Sequence, residues 1–396
     1  EPCVFVKDDL VVVAWVDDLL VRGTAKATTK FYKELEKKFE LKDPNYLGCE
    51  APLKFVGFDI KQEKTKTGVT RYSIDQDEAM ARFIEEMEEQ YEKEMIGART
   101  VQSPMATSAA MHEDETALEG KEIAEYQAIV GSLNYFGMAT RYDIAFAASR
   151  LSQAAVAPTQ GSKKAMLRVI KYLKQNKRHC IEYEREEKGE DKFEFYSDSD
   201  HGGDQGFTTM SHTGAMFMLN GAPVMWISKK QSRMTAFSSA LAEVFALSES
   251  VRGAQLLAWR AEEMGVGVTY PLVFQVDNAQ AITFQKATCL TSRLRGCIDM
   301  RWAWVKELRR NGKVSTVKVA ADKNKADLLT KSLPAYKFRA AMKGIQGDQR
   351  SRHIAAFMEI ISKGQRPRVM RAWRPRVDRR LTGSGATAKF SPAWGV

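Results

Sequence analysis

The stretch Phe193-Glu194-Phe195-Tyr196-Ser197-Asp198-Ser199-Asp200 decides how the chain is read. Phe193, Phe195 and Ser197 alternate with Glu194, Tyr196 and Asp198, the two-residue period of a strand with one face packed. Asp198 therefore falls near a strand end, and three later segments each bring one acid that can meet it: Glu243, Asp277 and Asp327. Ser238-Ser239 is a helix N-cap signal followed by the stripe Ala240, Val244, Leu247, Val251, Ala254 and Ala258, which puts Glu243 in the first turn beside the apolar face. Leu272, Phe274 and Val276 alternate with Val273, Gln275 and Asp277, so a second acid ends a second central strand. Asp327 follows Asn324 at the head of a helix expected over 325–331.

Four converging carboxylates repel one another unless cations neutralise them, and hard oxygen ligands suit magnesium or manganese. Two such ions acting on a phosphodiester are the natural use of the set. The pattern alone leaves an equally good reading open, in which each acid is an ordinary cap or a solvated residue.

The ordered stretches YSDSDHGGD (196–204), WISKKQ (226–231), SSALAEVFALS (238–248), VDNAQAI (276–282) and ADLLTKSLP (326–334) resemble the ribonuclease H domain of copia-type retrotransposon polyproteins. The resemblance implies a mixed sheet with helices on both faces. It implies that Asp198, Glu243, Asp277 and Asp327 hold two Mg2+ or Mn2+ ions, and that the reaction is hydrolysis of the RNA strand of an RNA–DNA hybrid. The order of elements after Lys192 agrees: strand, hairpin at Asn220-Gly221, helix, strand, two helices, strand, helix.

Upstream, LVVVAWVDDLLV (10–21) reads as a buried hairpin carrying Asp17 and Asp18 at its tip, or more simply as a polar turn between two strands. It resembles the palm hairpin of reverse transcriptases, with Trp15 where that family usually has tyrosine. The strand pair 53–60 and 68–75 continues the likeness. A further aspartate and a fingers region are missing from the chain, so polymerase activity is expected only with an N-terminal portion of the parent polyprotein, which is also an expected partner. Helical patterns over 123–137, 143–155 and 163–175 resemble the copia connection region, and the last is basic through Lys163, Lys164, Arg168, Lys171 and Lys174.

The expected organisation is therefore α/β (α+β): a partial reverse-transcriptase palm over 1–97, a linker over 98–120, a helical connection region over 121–184, a ribonuclease-H-like mixed five-stranded sheet over 190–343, and a basic, disordered tail over 344–396. Phosphate-contact candidates are Lys229, Lys230, Arg233, Arg293 and Arg295, although a solvated surface role is the simpler reading for any single one. Cys297 stands where copia elements usually carry histidine.

At 396 residues and 44% hydrophobic content the chain can bury more than one core. The formal charge of +10 and pI near 9.2 favour a polyanionic partner. Five scattered cysteines and five histidines, with no C-x-x-C pair, argue against zinc and a disulfide scaffold. The longest apolar run is too short to span a bilayer, and a reducing compartment, cytoplasm or nucleus, is expected. Two rivals stay open. One is a decayed or co-opted protein that binds nucleic acid without turnover. The other is a different nuclease of the same fold, such as an integrase or junction resolvase.

Overall fold

The computed structural model describes residues 3–48, 51–64, 70–95, 100–105, 111–185, 191–202, 210–231, 238–286, 300–351, 368–371 and 374–375. Strands β1 (Val4–Lys7), β2 (Leu10–Trp15) and β3 (Asp18–Arg22) form an antiparallel meander. Helix α1 (Ala25–Glu36), capped by Thr24 Oγ1 accepting from the Ala27 amide at 3.2 Å, packs Phe31 and Leu35 against buried Val12 and Val21. The hairpin tip is not buried as the sequence suggested: Trp15 and Val16 are 55% and 82% exposed, and Asp17 lies in the open turn. Two apolar runs mark strands, but they cannot say how far along its length a hairpin is covered.

Beyond the short strands β4 (Phe39–Glu40) and β5 (Asn45–Tyr46), β6 (Leu53–Phe55), β7 (Phe58–Lys64) and β8 (Thr70–Asp75) make a second antiparallel sheet. Helix α2 (Asp77–Gln90) buries Met80, Phe83, Ile84 and Met87, an apolar stripe at helical spacing, and is followed by the single turn α3 (Glu92–Met95). Three connection helices follow: α4 (Lys121–Ala139), α5 (Ala145–Gln153) and α6 (Gln160–Gln175), the last opened by a capping box between Thr159 and Ser162. Strand β9 (Ile181–Arg185) then returns to pair with β8, so the connection region completes the preceding sheet.

Where it is described, over 100–105 and 111–120, the expected linker is no free spacer. Val101, Met105, Met111 and Leu118 are buried in the same core as the connection helices, and the Val101 amide donates to Gln175 Oε1 at 2.7 Å. An irregular segment can bury side chains without any period, which is why composition read it as a spacer.

The third sheet is built from β10 (Phe193–Asp200), β11 (His212–Leu219), β12 (Ala222–Lys230), β13 (Leu272–Val276) and β14 (Val314–Lys318) in the order β12-β11-β10-β13-β14. Asn220 and Gly221, with φ of 51° and 86°, make the two-residue turn between β11 and β12. Phe195, Phe217 and Phe274 face a core closed by α7 (Ser239–Glu263), α8 (Ala279–Lys286) and α9 (Met300–Arg310). Tyr196, Met216 and Met218 face the other way, into the core shared with the connection helices and α10 (Ala335–Ser351). Trp226 fixes that second layer, its Nε1 donating to the Gly137 carbonyl at 2.7 Å and its ring meeting Tyr142 edge-on at 5.6 Å. Helix α10 runs through the expected domain end near 343, because fully buried Ile345 belongs to the same core. Within the tail, β15 (Arg368–Arg371) pairs with β3 and β5, and β16 (Arg374–Pro375) pairs with β4, where disorder was expected. Among the described residues no helix is long and apolar enough to cross a membrane.

At the centre of the connection layer, buried Arg141 grips Asp143 with two bonds of 2.9 and 2.7 Å, and the Tyr172 hydroxyl donates to the same carboxylate at 2.9 Å. Burial pushes the Asp143 carboxyl upward, but Arg141 and then His179 outweigh it and hold the group below its usual range. His179 is itself 8% exposed, and desolvation holds its imidazole down to about 4. In the unfolded chain the same group protonates near 6.5. With the folded pKa depressed, the unfolded state takes up the proton first, so this contribution is present above about pH 6.5 and is lost as pH falls toward 4. The stability difference between wild type and His179→Gln should therefore move by roughly 2 kcal/mol in the variant's favour between pH 7.5 and 5, other titrations cancelling in the comparison. Urea unfolding at the two pH values checks this, and a pH-independent difference would contradict a buried neutral imidazole.

Candidate metal centre

β10 is the central strand: it pairs antiparallel with β11 along its whole length and parallel with β13 only at Phe195–Phe274 and Tyr196–Gln275. Past that point Asp198 on β10 and Asp277, one residue beyond β13, stand together at the carboxyl ends of parallel neighbours, where open sheets gather ligands. Helix α7 delivers Glu243. Its N-cap Ser238 accepts from the Leu241 amide at 3.2 Å, and Ser250 Oγ donates to Ser197 Oγ at 3.0 Å, tying helix to strand. Glu243 thus sits in the second turn, not the first, and Glu243 Oε1 accepts from the Ser199 amide at 3.4 Å.

Ligand atoms of Asp198, Glu243 and Asp277 all lie within 4.8 Å of one another. Asp198 and Glu243 are 2% and 5% exposed. Burial, followed for Glu243 by the charges of Asp198 and Asp277, pushes these carboxyls above their usual range, and burial does the same to Asp277. Glu243 Oε2 is buried without a hydrogen-bond partner among the described residues. An all-oxygen, strongly anionic donor set with an unpartnered inward oxygen fits a hard divalent cation and does not fit a soft one.

The fourth predicted acid is placed differently. Asp327 begins a 3-10 turn, Asp327–Leu329, in place of the expected helix, and lies outside the converging group. Its carboxylate is ion-paired with Lys331, whose ammonium is also 4.0 Å from Asp198. Burial pulls the Lys331 pKa down, but Asp198 and Asp327 outweigh it and raise it to about 12. Thr330 Oγ1 donates to Asp198 Oδ2, and Asn324 Nδ2 donates to the Ser197 carbonyl at 3.1 Å, so the turn is bolted to the strand that carries the acid. Gly214, directly across from Asp198, permits this approach: a β-carbon there would lie 2.5 Å from Thr330 Cγ2 and 2.8 Å from the Ala326 carbonyl.

Sequence reasoning did not assign Thr330, Lys331, Asn324 or Gly214 to the site. The first two lay within the quoted stretch 326–334, where a hydroxyl and a cation beside an acid were the available signal. Lys229 is ion-paired with Glu249 at 2.6 Å, and Lys230 ends β12 opposite His212, which in turn faces Asp200. Arg233, Arg293, Arg295 and Cys297 lie outside the described residues. Asp17, in the turn, and Asp18, on β3, belong to the first sheet's hairpin and form no group of three metal-capable side chains among the described residues.

The strand order, three antiparallel strands and then two parallel additions, together with an acid on the central strand, one on the following helix and one after the next strand, defines a ribonuclease-H-like α/β fold carrying a cluster of three acids able to hold a metal ion. Over most of its length the chain is similar to retrovirus-related Pol polyproteins from plant transposons. It is 28% identical over 350 residues to the Pol polyprotein from transposon TNT 1-94 of Nicotiana tabacum, a match covering 85% of this chain and 25% of that protein. The chain thus spans about a quarter of that relative's length. A second relative, secreted RxLR effector protein 161 of Plasmopara viticola, is 39% identical over 135 residues, which is 34% of this chain and 92% of the effector. Among solved structures, LC11-RNase H1 in complex with an RNA/DNA hybrid is 14% identical with a TM-score of 0.27, covering 35% of this chain and 94% of that one, a likeness too slight to carry an argument. No family model matches the chain.

Lys331 is a resident cation among acids that a divalent ion would otherwise neutralise. Lys331→Gln should lower the thermal midpoint of the metal-free protein in EDTA, and Mg2+ should restore more of it in the variant than it adds to wild type. Thermal unfolding with and without Mg2+ checks this, and equal midpoints in EDTA would remove Lys331 from the electrostatics of the site.

Proposed function

We propose that this chain hydrolyses the RNA strand of RNA–DNA hybrids with magnesium or manganese held by Asp198, Glu243 and Asp277. The convergence of these three carboxylates within 4.8 Å at one sheet edge carries the proposal. The likeness to transposon Pol polyproteins over most of the chain supports it.

Asp198, Glu243 and Asp277 would hold a divalent ion, which would offset their charge and supply an acidified water and positive charge to the scissile phosphate. The chain's own residues set the geometry. Thr330 and the Ser199 amide fix the rotamers of Asp198 and Glu243. Lys331 holds Asp327 back from the triad, so Asp327 completes a second ion site only when that ammonium moves. A displaced ammonium is well placed to pair with a phosphate oxygen of the strand being cut. Lys229 and Lys230, at the same end of the sheet, would meet backbone phosphates, contacts that are blind to sequence as a hybrid substrate requires. Polymerisation is proposed to need parts of the parent polyprotein beyond this chain, since Asp17 and Asp18 have no third acid beside them among the described residues.

The test is incubation of the chain with an RNA-labelled hybrid and Mg2+, beside Asp198→Asn and Asp277→Asn. RNA cleavage is expected, reduced about a hundredfold or more in each variant, with no primer extension when deoxynucleotides are supplied. Tight binding of the hybrid without cleavage by the wild-type chain would overturn the catalytic proposal in favour of a protein that binds nucleic acid without turnover.

A further inference from the structure

A second polar cavity lies on the far side of the connection layer, between the end of α6 and α10, with a volume near 580 Å³. Its mouth carries Arg178, Arg339 and Lys343. None of the three has a carboxylate partner among the described residues, although the rest of basic α6 is largely neutralised: Lys163 pairs with Glu122, Lys164 with Asp114 and Lys174 with Glu88, at 2.6, 3.0 and 2.5 Å. The one acid in the lining, Asp143, is spent on Arg141. The cavity is therefore net positive.

His179 also lines it, and its buried Nε2 has no hydrogen-bond partner among the described residues. A buried imidazole nitrogen without a partner costs free energy that a ligand oxygen or hydroxyl would recover. Val101, Phe338 and Met342 supply an apolar wall beside these polar groups. Three uncommitted cations, one orphaned ring nitrogen and an apolar wall in a space of this size suit a phosphate attached to a flat organic group.

We infer that this cavity binds the phosphate of a nucleotide, with Arg178, Arg339 and Lys343 on the phosphate and His179 on the sugar or base. The same chemistry is presented by a free mononucleotide and by the terminal nucleotide of a strand. The site is separate from the acidic centre and does not depend on the nuclease proposal.

Equilibrium dialysis of the full chain in EDTA, which keeps divalent ions from the acidic centre, tests it with four probes: adenosine, inorganic phosphate, adenosine monophosphate and a 5′-phosphorylated trinucleotide. Saturable binding of the monophosphate or the trinucleotide is expected, far tighter than that of adenosine, and weakened about tenfold or more in the Arg339→Ala/Lys343→Ala double variant. Binding of the monophosphate points to a free nucleotide, and binding of the trinucleotide alone to a strand end. His179→Ala should weaken binding as well, and circular dichroism separates that loss from unfolding. Failure of both nucleotide probes to bind, adenosine bound as well as its monophosphate, or a folded double variant that binds like wild type would each overturn the inference.

Discussion

Three carboxylates within 4.8 Å of one another, two buried and one half-buried, are the constraint around which the C-terminal half is arranged. Such a cluster is unfavourable by itself, both through lost hydration and through mutual repulsion. The surrounding contacts answer that cost. The Ser199 amide meets Glu243, Thr330 meets Asp198, and Lys331 supplies positive charge between Asp198 and Asp327. Gly214 lets the Asp327–Leu329 turn approach the sheet closely enough for these bonds to form. The same arrangement leaves Glu243 Oε2 without a partner. Satisfying that oxygen is work for a cation, because a buried polar atom left alone is more costly than one that is paired.

The connection region does more than join the sheets on either side of it. Its helices cover the face of the third sheet that α7 leaves bare, and β9 completes the sheet formed by β6, β7 and β8. One continuous core therefore runs from Leu47 to Ile345, through Tyr126, Leu133, Tyr172 and Met216. The Arg141–Asp143 pair with Tyr172 lies inside this core, and removing either charged partner would strand the other, which costs far more than the intact pair contributes. The metal centre is coupled to this layer mechanically. Ser228, on the strand that Trp226 anchors to α4, donates to the Leu329 carbonyl in the turn that carries Asp327.

The charge of the chain is unevenly committed. Several cations of α6 and the sheet edge are held in ion pairs, so the 60 lysines and arginines overstate the positive charge that is free at those faces. Exposed pairs of this kind add little stability, but they decide where positive potential survives. Arg178, Arg339 and Lys343 around one cavity are such a place.

Strand period, cap residues and turn chemistry are local properties, and the sequence alone determined whatever depends on them. Phe193 to Asp200 as a strand, the Asn220-Gly221 turn, the Ser238 cap and the apolar stripes of α2 and α7 follow from spacings of two and of three to four residues. Asp198, Glu243 and Asp277 were singled out by the resemblance of the stretches that carry them, since their spacing alone left a capping or solvated role equally good. Tertiary structure decided which acids converge: Asp198, Glu243 and Asp277 form the close group, and Asp327 stands beside it, paired with Lys331. It also decided that Val101, Met105, Met111 and Leu118 are buried and that the hairpin tip is exposed, since an aperiodic segment or a bare apolar run does not specify its partner. The close approach at Gly214 and the orphaned nitrogen of His179 belong to the same class. Both arise between segments more than a hundred or several tens of residues apart, where no local pattern records the contact.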